Sequence, residues 1–479
     1  MALGFELQGL SFETTDPSEI ARRSAQLNNC WRNVAREGLA IWQIILRRPE
    51  PIFSDATFAS RFSSDLDRRY RARLAERQLF ANRLFLVAVL RDPGFKGRMR
   101  PWGQTDTAHA SPKALGDLES VAGDLEQLLR PYEPRRLSVF TRAGLVYSEF
   151  LELIGELITG EGGPAPLVAG RASAGVTTAR LIFGREAMEV RQADRSRYGA
   201  MFSLKEYPAT TPVGLWDGLL SLPLALNIVQ SFAFLPKPAA QALLTRKQNQ
   251  LVSAADPAAS QVDALDEALD DLISNRFVMG EHHASVMVWA DAPSVLAGSM
   301  AQTRARLAEG GLVAGRDDLG LQASFWAQCP GAFADRLRPA PVTSHNFAAL
   351  APLHTYPNGA VRDLWWTKPV SMLRSRAGSA FRFSFHVGDV GHTFICGPTG
   401  SGKTVVQNFL LSQSEALGAQ RVLIDKDSGA EIFVRASNGQ YLTFTPGEPS
   451  GLSPLKSLPL TAPNRAHLSA LIELLLSDT

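Results

Sequence analysis

Eight consecutive residues, Gly397, Pro398, Thr399, Gly400, Ser401, Gly402, Lys403 and Thr404, satisfy the spacing GxxxxGK[ST]. Each residue type has a task in holding a polyphosphate. Glycines let the backbone turn tightly, so that successive N–H groups converge on phosphate oxygens at a helix N-terminus, where the helix dipole favours negative charge. Lys403 adds a compact ammonium for the β- and γ-phosphates, and Thr404 a hydroxyl for Mg²⁺. The chemistry implied is binding of ATP with Mg²⁺. The whole run from Gly397 to Thr404 forms the cofactor loop, with Thr404 as the metal ligand.

Such a loop has to be delivered by a strand and followed by a helix. The run HTFIC, His392 to Cys396, is β-prone and predicts that strand. After the loop, Val405, Val406, Phe409 and Leu410 recur at helical spacing, and Gly418 suits a helix C-terminus. A second β-prone run, Val422 to Ile424, leads to Asp425, where carboxylates of open α/β sheets face the ligand crevice. Two roles are open at this turn. Asp425 or Asp427 orients magnesium-bound water or a catalytic group, or Asp425 caps a turn while Lys426 and Asp427 sit in solvent. Lys403 and Asp425 are therefore the candidate catalytic residues. The run VLID is disfavoured as a magnesium-supporting strand, because it directly follows the loop helix.

Other chemistry-bearing clusters point to bland roles. Glu281, His282 and His283 are adjacent, so they alternate across a strand and lack a third ligand at metal-site spacing. Trp365 and Trp366 suit packing better than base stacking, and His386 is expected in a strand. Three separated cysteines, Cys30, Cys329 and Cys396, give neither a disulfide framework nor a zinc cluster.

The elements that must position the loop belong to a long chain. At 479 residues, with 45% hydrophobic and 20% charged residues, it reads as a soluble protein of two or three domains. Forty-nine basic against forty-seven acidic residues leave no footprint for wrapping nucleic acid, and no sequence-specific nucleic-acid binding is expected. The N-terminus lacks a basic segment followed by an apolar one, so no secretory signal is predicted. Leu219 to Pro236, broken by Pro223, Asn227 and Gln230, reads as a buried strand or short helix rather than a lipid span. A helix beginning after Asp16 as its cap, an amphipathic acidic helix around Val262, Leu265, Leu269, Leu272 and Ile273, and a strand from Ala284 predict α+β modules. The boundaries follow the prolines and glycines: an α+β subdomain over 1–155, a second over 156–345, a connection over 346–385, and a nucleotide domain over 386–479.

With these motifs in place, the chain resembles the VirB-type/TrbE/CagE family, the cytoplasmic traffic ATPases of type IV secretion and conjugation. The resemblance rests on GHTFICGPTGSGKT, IDKDSGAEIFVRASNGQY and PGEPSGLSPL, with FWAQCPGAF, RLRPAPVTSHNFAALAPLH, RYGAMFSLKEYP and GLSFETTD further upstream. It implies an α+β N-terminal region followed by the start of a P-loop, RecA-like α/β domain. The family's loop residues map onto Gly397, Gly402, Lys403 and Thr404, and its DKDxG element onto Asp425, Lys426, Asp427 and Gly429. Ser453 stands where the family more often has Asn. The family further implies other type IV secretion subunits as partners, hexamers, and a cytoplasmic protein peripheral on the bacterial inner membrane. Only 75 residues follow Thr404. The family's acid pair, glutamine motif and arginine finger lie further on, so the expectation is a fragment or truncated product with little hydrolysis. Two alternatives stay open: a non-catalytic docking subunit with a vestigial loop, and a DNA-translocating coupling ATPase.

Overall fold

The computed structural model describes residues 1–52, 56–91, 112–168, 172–253, 259–445, 447–450 and 453–477, with only the backbone of 172, 173, 252, 253 and 259–262. The chain is mixed α/β, with thirteen α-helices and one large antiparallel sheet among the described residues. It divides into two compact units, Met1–Phe53 with Ala72–Gly388, and Ser54–Arg71 with Asp389–Thr479.

Long runs rich in Ile, Val, Leu and aromatic residues build the sheet of the first unit, as such side chains fill a pleated surface. Its strands are β1 (Ala2–Leu7), β2 (Leu39–Glu50), β3 (Leu79–Leu90) and β4 (Arg135–Arg136). A separate hairpin joins β5 (Val139–Arg142) to β6 (Leu145–Ser148). The sheet continues in β7 (Arg180–Phe183), β8 (Met188–Arg191), β9 (Ser196–Glu206), β10 (Ala225–Phe234), β11 (Met279–Ala290), β12 (Val313–Arg316) and β13 (Ala340–Thr343). A second hairpin pairs β14 (Ser371–Arg374) with β15 (Ala380–Phe383). The order is β4-β1-β3-β2-β10-β11-β9-β8-β7, with β12 on β9 and β13 on β11. β2 pairs β10 from Arg47↔Leu226 to Ala40↔Ala233, which places strands from residues 1–155 and 156–345 in one sheet.

Strand alternation sorts the central residues between two layers. Ile41, Leu86, Ala88, Ile228 and Phe232 meet Leu27, Trp31, Val121 and Leu125 of the helices Pro17–Val34 and Pro112–Leu128. Trp42, Ile44, Phe85, Val87 and Val229 meet Leu153 and Leu157 of the helix Glu149–Thr159. Trp31 is fully buried and lies 5.4 Å from Phe347 between ring centroids, which in turn stacks on Phe232 at 4.6 Å.

Several local expectations are corrected. The helix starts at Pro17 after Asp16, but the Asp16 side chain makes no capping bond; the fixed φ of Pro17 sets the first turn. Within Leu219–Pro236 the expected buried strand is present as β10, preceded by the 3₁₀ turn Asp217–Ser221 and by Pro223. In the acidic helix Ala259–Ile273, Leu272 is buried, Leu265 and Leu269 are half-buried, and Ile273 is exposed. His386 lies just beyond β15, its amide donating to Ser384 Oγ at 3.2 Å.

The second unit holds the helices Lys403–Ser414, Glu431–Ala436, Pro454–Ser457 and Ala462–Ser477, together with the first part of the helix Arg61–Ala75. The predicted strands His392–Cys396 and Val422–Ile424 do not form. A β-prone run becomes a strand only by exchanging N–H···O bonds along a neighbouring strand, and neither run joins a described β-sheet. Phe394 is 89% exposed and Ile424 99% exposed as a result.

Candidate functional site

Gly397–Thr404 forms an exposed turn that opens directly into the helix Lys403–Ser414. Gly402 caps that helix with φ +90° and ψ 18°, a left-handed conformation that a residue with a Cβ adopts only under strain. Gly400 has φ +80°, and open space lies where a Cβ would stand at either glycine. The Ser401 amide donates to Pro398 O at 3.2 Å, closing the turn. Among the described residues, the amides of Thr399, Gly400 and Gly402 take no protein acceptor. Those N–H groups therefore stand free at a helix N-terminus, which is the arrangement that favours an anion. The Lys403 ammonium folds back over the turn and donates to Gly397 O and Pro398 O, each at 3.0 Å. It is thus held on carbonyl oxygens that a phosphate oxygen can replace.

The DKDSG segment comes beside the loop. A Cβ on Gly429 would stand 3.3 Å from Thr404 Cγ2, so glycine allows the close approach. Asp425 Oδ2 accepts from Ala430 N at 2.8 Å and Tyr441 OH at 3.2 Å. The Ala430 amide is the main reason its carboxyl is held below the usual range, with Tyr441 adding to it. That carboxylate anchors the turn entering the helix Glu431–Ala436. Asp427 is exposed. A cavity of about 440 Å³ runs alongside, lined by Val422, Ile424, Asp425, Phe433, Tyr441 and Phe444 among others, and it includes none of Gly397–Thr404.

The far end of the loop helix is fixed by residues that sequence reasoning missed. Glu415 follows the helix and accepts from the Ser60 amide, from Ser60 Oγ at 3.0 Å and from Ser63 Oγ at 2.8 Å. Arg421 ties the same carboxylate at 3.1 Å and also donates to Leu411 O at 3.1 Å. Ser60 in turn receives the Ser63 amide at 3.2 Å, so it caps the helix Arg61–Ala75. Burial raises the Glu415 carboxyl, but the Ser60 amide, the two hydroxyls and Arg421 outweigh it and hold it below the usual range. Tyr70 packs on Phe409 at 4.5 Å, and Phe62 on Phe433 at 6.2 Å, between centroids. The Ser-x-x-Ser spacing before an amphipathic run was a readable cap signal; its carboxylate partner, 355 residues away, was not.

The histidine pair is internal, whereas Trp365 is exposed. His282 bridges Tyr207 OH (2.7 Å from Nδ1) and Gln230 Oε1 (3.1 Å from Nε2), while His283, next along β11, stands opposite Ser231. Trp366 lies 5.1 Å from His386 between ring centroids, and buried Asp363 accepts from the Trp365 and Trp366 amides at 2.8 and 2.9 Å.

Comparison with known proteins identifies the family of the chain. Residues 135–338 match the family described as "CagE, TrbE, VirB family, component of type IV transporter system". Residues 1–97 match "Type IV secretion system ATPase VirB4/TrbE, N-terminal domain". The type IV secretion system protein virB4 of Bartonella quintana is 42% identical over 471 residues, covering 96% of this chain and 60% of the relative. The chain belongs to the CagE/TrbE/VirB family. Protein virB4 of Agrobacterium fabrum is 35% identical over 483 residues, covering 98% of the chain and 61% of the relative. PtlC of Bordetella pertussis, a type IV secretion system protein, is 34% identical over 496 residues, covering 98% and 60%. This family member thus spans about 60% of the length of the curated relatives it matches. Its loop Gly397–Thr404 lies outside the two family-matched stretches but within the span of these alignments, which take in nearly the whole chain.

Proposed function

We propose that this chain is an ATP-binding component of a type IV secretion system, and that in the full-length protein ATP hydrolysis energises pilus assembly or substrate transfer. The observation that carries the reading is the exposed turn Gly397–Thr404, with unengaged amides and the Lys403 ammonium folded across it. Pro398, Thr399, Gly400, Ser401 and Gly402 wrap the phosphates with backbone N–H groups, and Lys403 neutralises the β/γ charge. The Thr404 hydroxyl serves Mg²⁺, which supplies Lewis-acid stabilisation of phosphoryl charge when bound. Asp425 orders the turn that sets Gly429 against Thr404.

The partners in this reading are other type IV secretion subunits, with the protein peripheral on the inner membrane and assembled as a hexamer. No helix among the described residues is long and apolar enough to cross a membrane. The test is calorimetric titration with ATP and Mg²⁺. Saturable binding that vanishes in Lys403→Ala is the expected result; equal affinity in both proteins overturns the assignment.

A further inference from the structure

A second cavity, of about 670 Å³, opens in the first unit, apart from the residues discussed above. Three arginines, Arg48, Arg195 and Arg197, line it together with Gly162 and the carboxylates Glu161 and Asp291. The glycines follow from the helix Glu149–Thr159, which ends on Gly160 at φ +76° with the Gly160 amide on Glu156 O. That left-handed cap turns the chain so that Gly160 O accepts from Arg197 Nη1 at 2.6 Å, which seats the guanidinium in the wall. A Cβ on Gly160 would meet Trp289 at 2.8 Å and Arg197 Nη1 at 2.9 Å, so only glycine fits.

The carboxylates do not saturate these guanidiniums. Glu161 is divided between Arg195 Nη2 at 2.6 Å and Arg197 Nη1 at 3.6 Å. Asp291 meets Arg197 Nε at 3.2 Å, but its side chain is 87% exposed and the contact is screened. Glu156, behind the wall, is divided between Arg48 at 3.2 Å and Arg83 at 2.9 Å. Burial first, and then the nearby Arg197 and Arg83 charges, hold Arg48 down to about 10 in spite of Glu156. The side chain of Arg197 is only 6% exposed. Among the described residues, Arg195 Nη1 and Arg197 Nη2 have no acceptor, their other nitrogens being engaged with Gln192, Glu161, Asp291 and Gly160.

Guanidinium donors that open into a cleft can take an incoming acceptor, and a planar guanidinium is matched best by an oxyanion taken in two-point fashion. A phosphate monoester offers three acceptor oxygens, enough for donors from separate arginines. The cavity volume falls in the range of small-molecule sites, leaving room for the organic remainder of such a ligand. We infer that this cleft binds a phosphate-bearing ligand, its dianionic group seated between Arg195 and Arg197 with Arg48 behind. Two sources share that chemistry, a free phosphate ester and a lipid headgroup.

The test uses the whole chain carrying Lys403→Ala, so that the loop Gly397–Thr404 contributes nothing. Two probes are applied: inorganic phosphate, followed by calorimetry, and phosphatidylcholine vesicles with and without phosphatidic acid, followed by co-sedimentation. Arg195 is half-exposed, so Arg195→Gln leaves the fold intact as judged by circular dichroism. It is expected to weaken binding by about tenfold, the loss of one charge-assisted contact. Glu161→Gln removes the competing carboxylate and is expected to tighten binding several-fold, whereas Arg191→Gln, outside the cleft, changes nothing. Binding to phosphate identifies a free ester; Arg195-dependent binding to acidic vesicles alone identifies a headgroup. Binding to neither probe, or binding unmoved by both Arg195→Gln and Glu161→Gln, overturns the inference.

Discussion

The Glu415 carboxylate accepts the backbone amide of Ser60, the first turn of one helix being anchored by the residue that closes another. Helix N-terminal amides carry partial positive charge, so a carboxylate there gains from the dipole as well as from its hydrogen bonds. Glu415→Ala leaves the Ser60 and Ser63 donors and Arg421 unsatisfied. The expected cost is about 2–3 kcal/mol, read as a lower urea midpoint and faster hydrogen exchange over the helix Arg61–Ala75. Because the carboxyl is held below its ordinary value, its contribution is complete at neutral pH and is lost as pH falls below the usual carboxylate range.

Gly402→Ala tests the loop without touching a charge. The φ of +90° costs an L-residue about 1–2 kcal/mol. The substituted helix is expected to start differently, reducing ATP affinity while leaving the first unit's thermal transition unchanged. An unaltered ATP titration would separate the left-handed turn from nucleotide binding.

Asp425 allows its two roles to be told apart. Asp425→Ala removes the acceptor for Ala430 N and Tyr441 OH and is expected to destabilise the second unit by about 1–2 kcal/mol. Asp425→Asn keeps an acceptor oxygen and removes the charge. Retained stability with retained Mg²⁺-dependent ATP binding is the expected outcome for a turn anchor. Loss of the Mg²⁺ dependence alone would assign the charge a part in the chemistry.

Two buried histidines set an acid limit on the first unit. Burial, foremost, holds His282 down to about 3 and His283 to about 4, with His283 and then Arg336 adding to the first, and Arg336 and Arg338 to the second. Tyr207 and Gln230 face His282 as neutral partners. A histidine with a lowered folded value stabilises fully above its unfolded value near 6.5 and loses that contribution as pH falls below it. The slope is up to about 1.4 kcal/mol per pH unit for each histidine. His283→Gln is expected to flatten the decline in urea midpoint between pH 6.5 and pH 4.5, and an unchanged slope counts against burial as its cause.

What the sequence revealed and what it withheld differ in physical kind. The turn Gly397–Thr404 and its helix are local, so residue types alone predicted a tight glycine turn followed by a helix through Val405 and Leu410, and the helix Lys403–Ser414 follows that turn. β10 and β11 were visible as apolar runs for the same reason. The β2–β10 pairing joins Arg47 to Leu226, and no periodicity within either run encodes the choice of neighbour. His392–Cys396 has strand composition but joins no described β-sheet, which shows that composition supplies propensity and strand pairing supplies the strand. The Arg48, Arg195 and Arg197 cleft draws on β2, the turn before β9 and β9 itself, and became visible only once the sheet brought these together.

The assignment of Ser54–Arg71 to the second unit has a temporal consequence. On the ribosome, Ser60 emerges 355 residues ahead of Glu415, an interval of roughly 20–70 s at ordinary elongation rates. Throughout that delay Phe62 and Tyr70 lack the Phe433 and Phe409 rings that later cover them. The newborn polypeptide therefore carries an uncovered aromatic segment between β2 and β3 while most of both units is still to be made, which gives a chaperone a long window to act there.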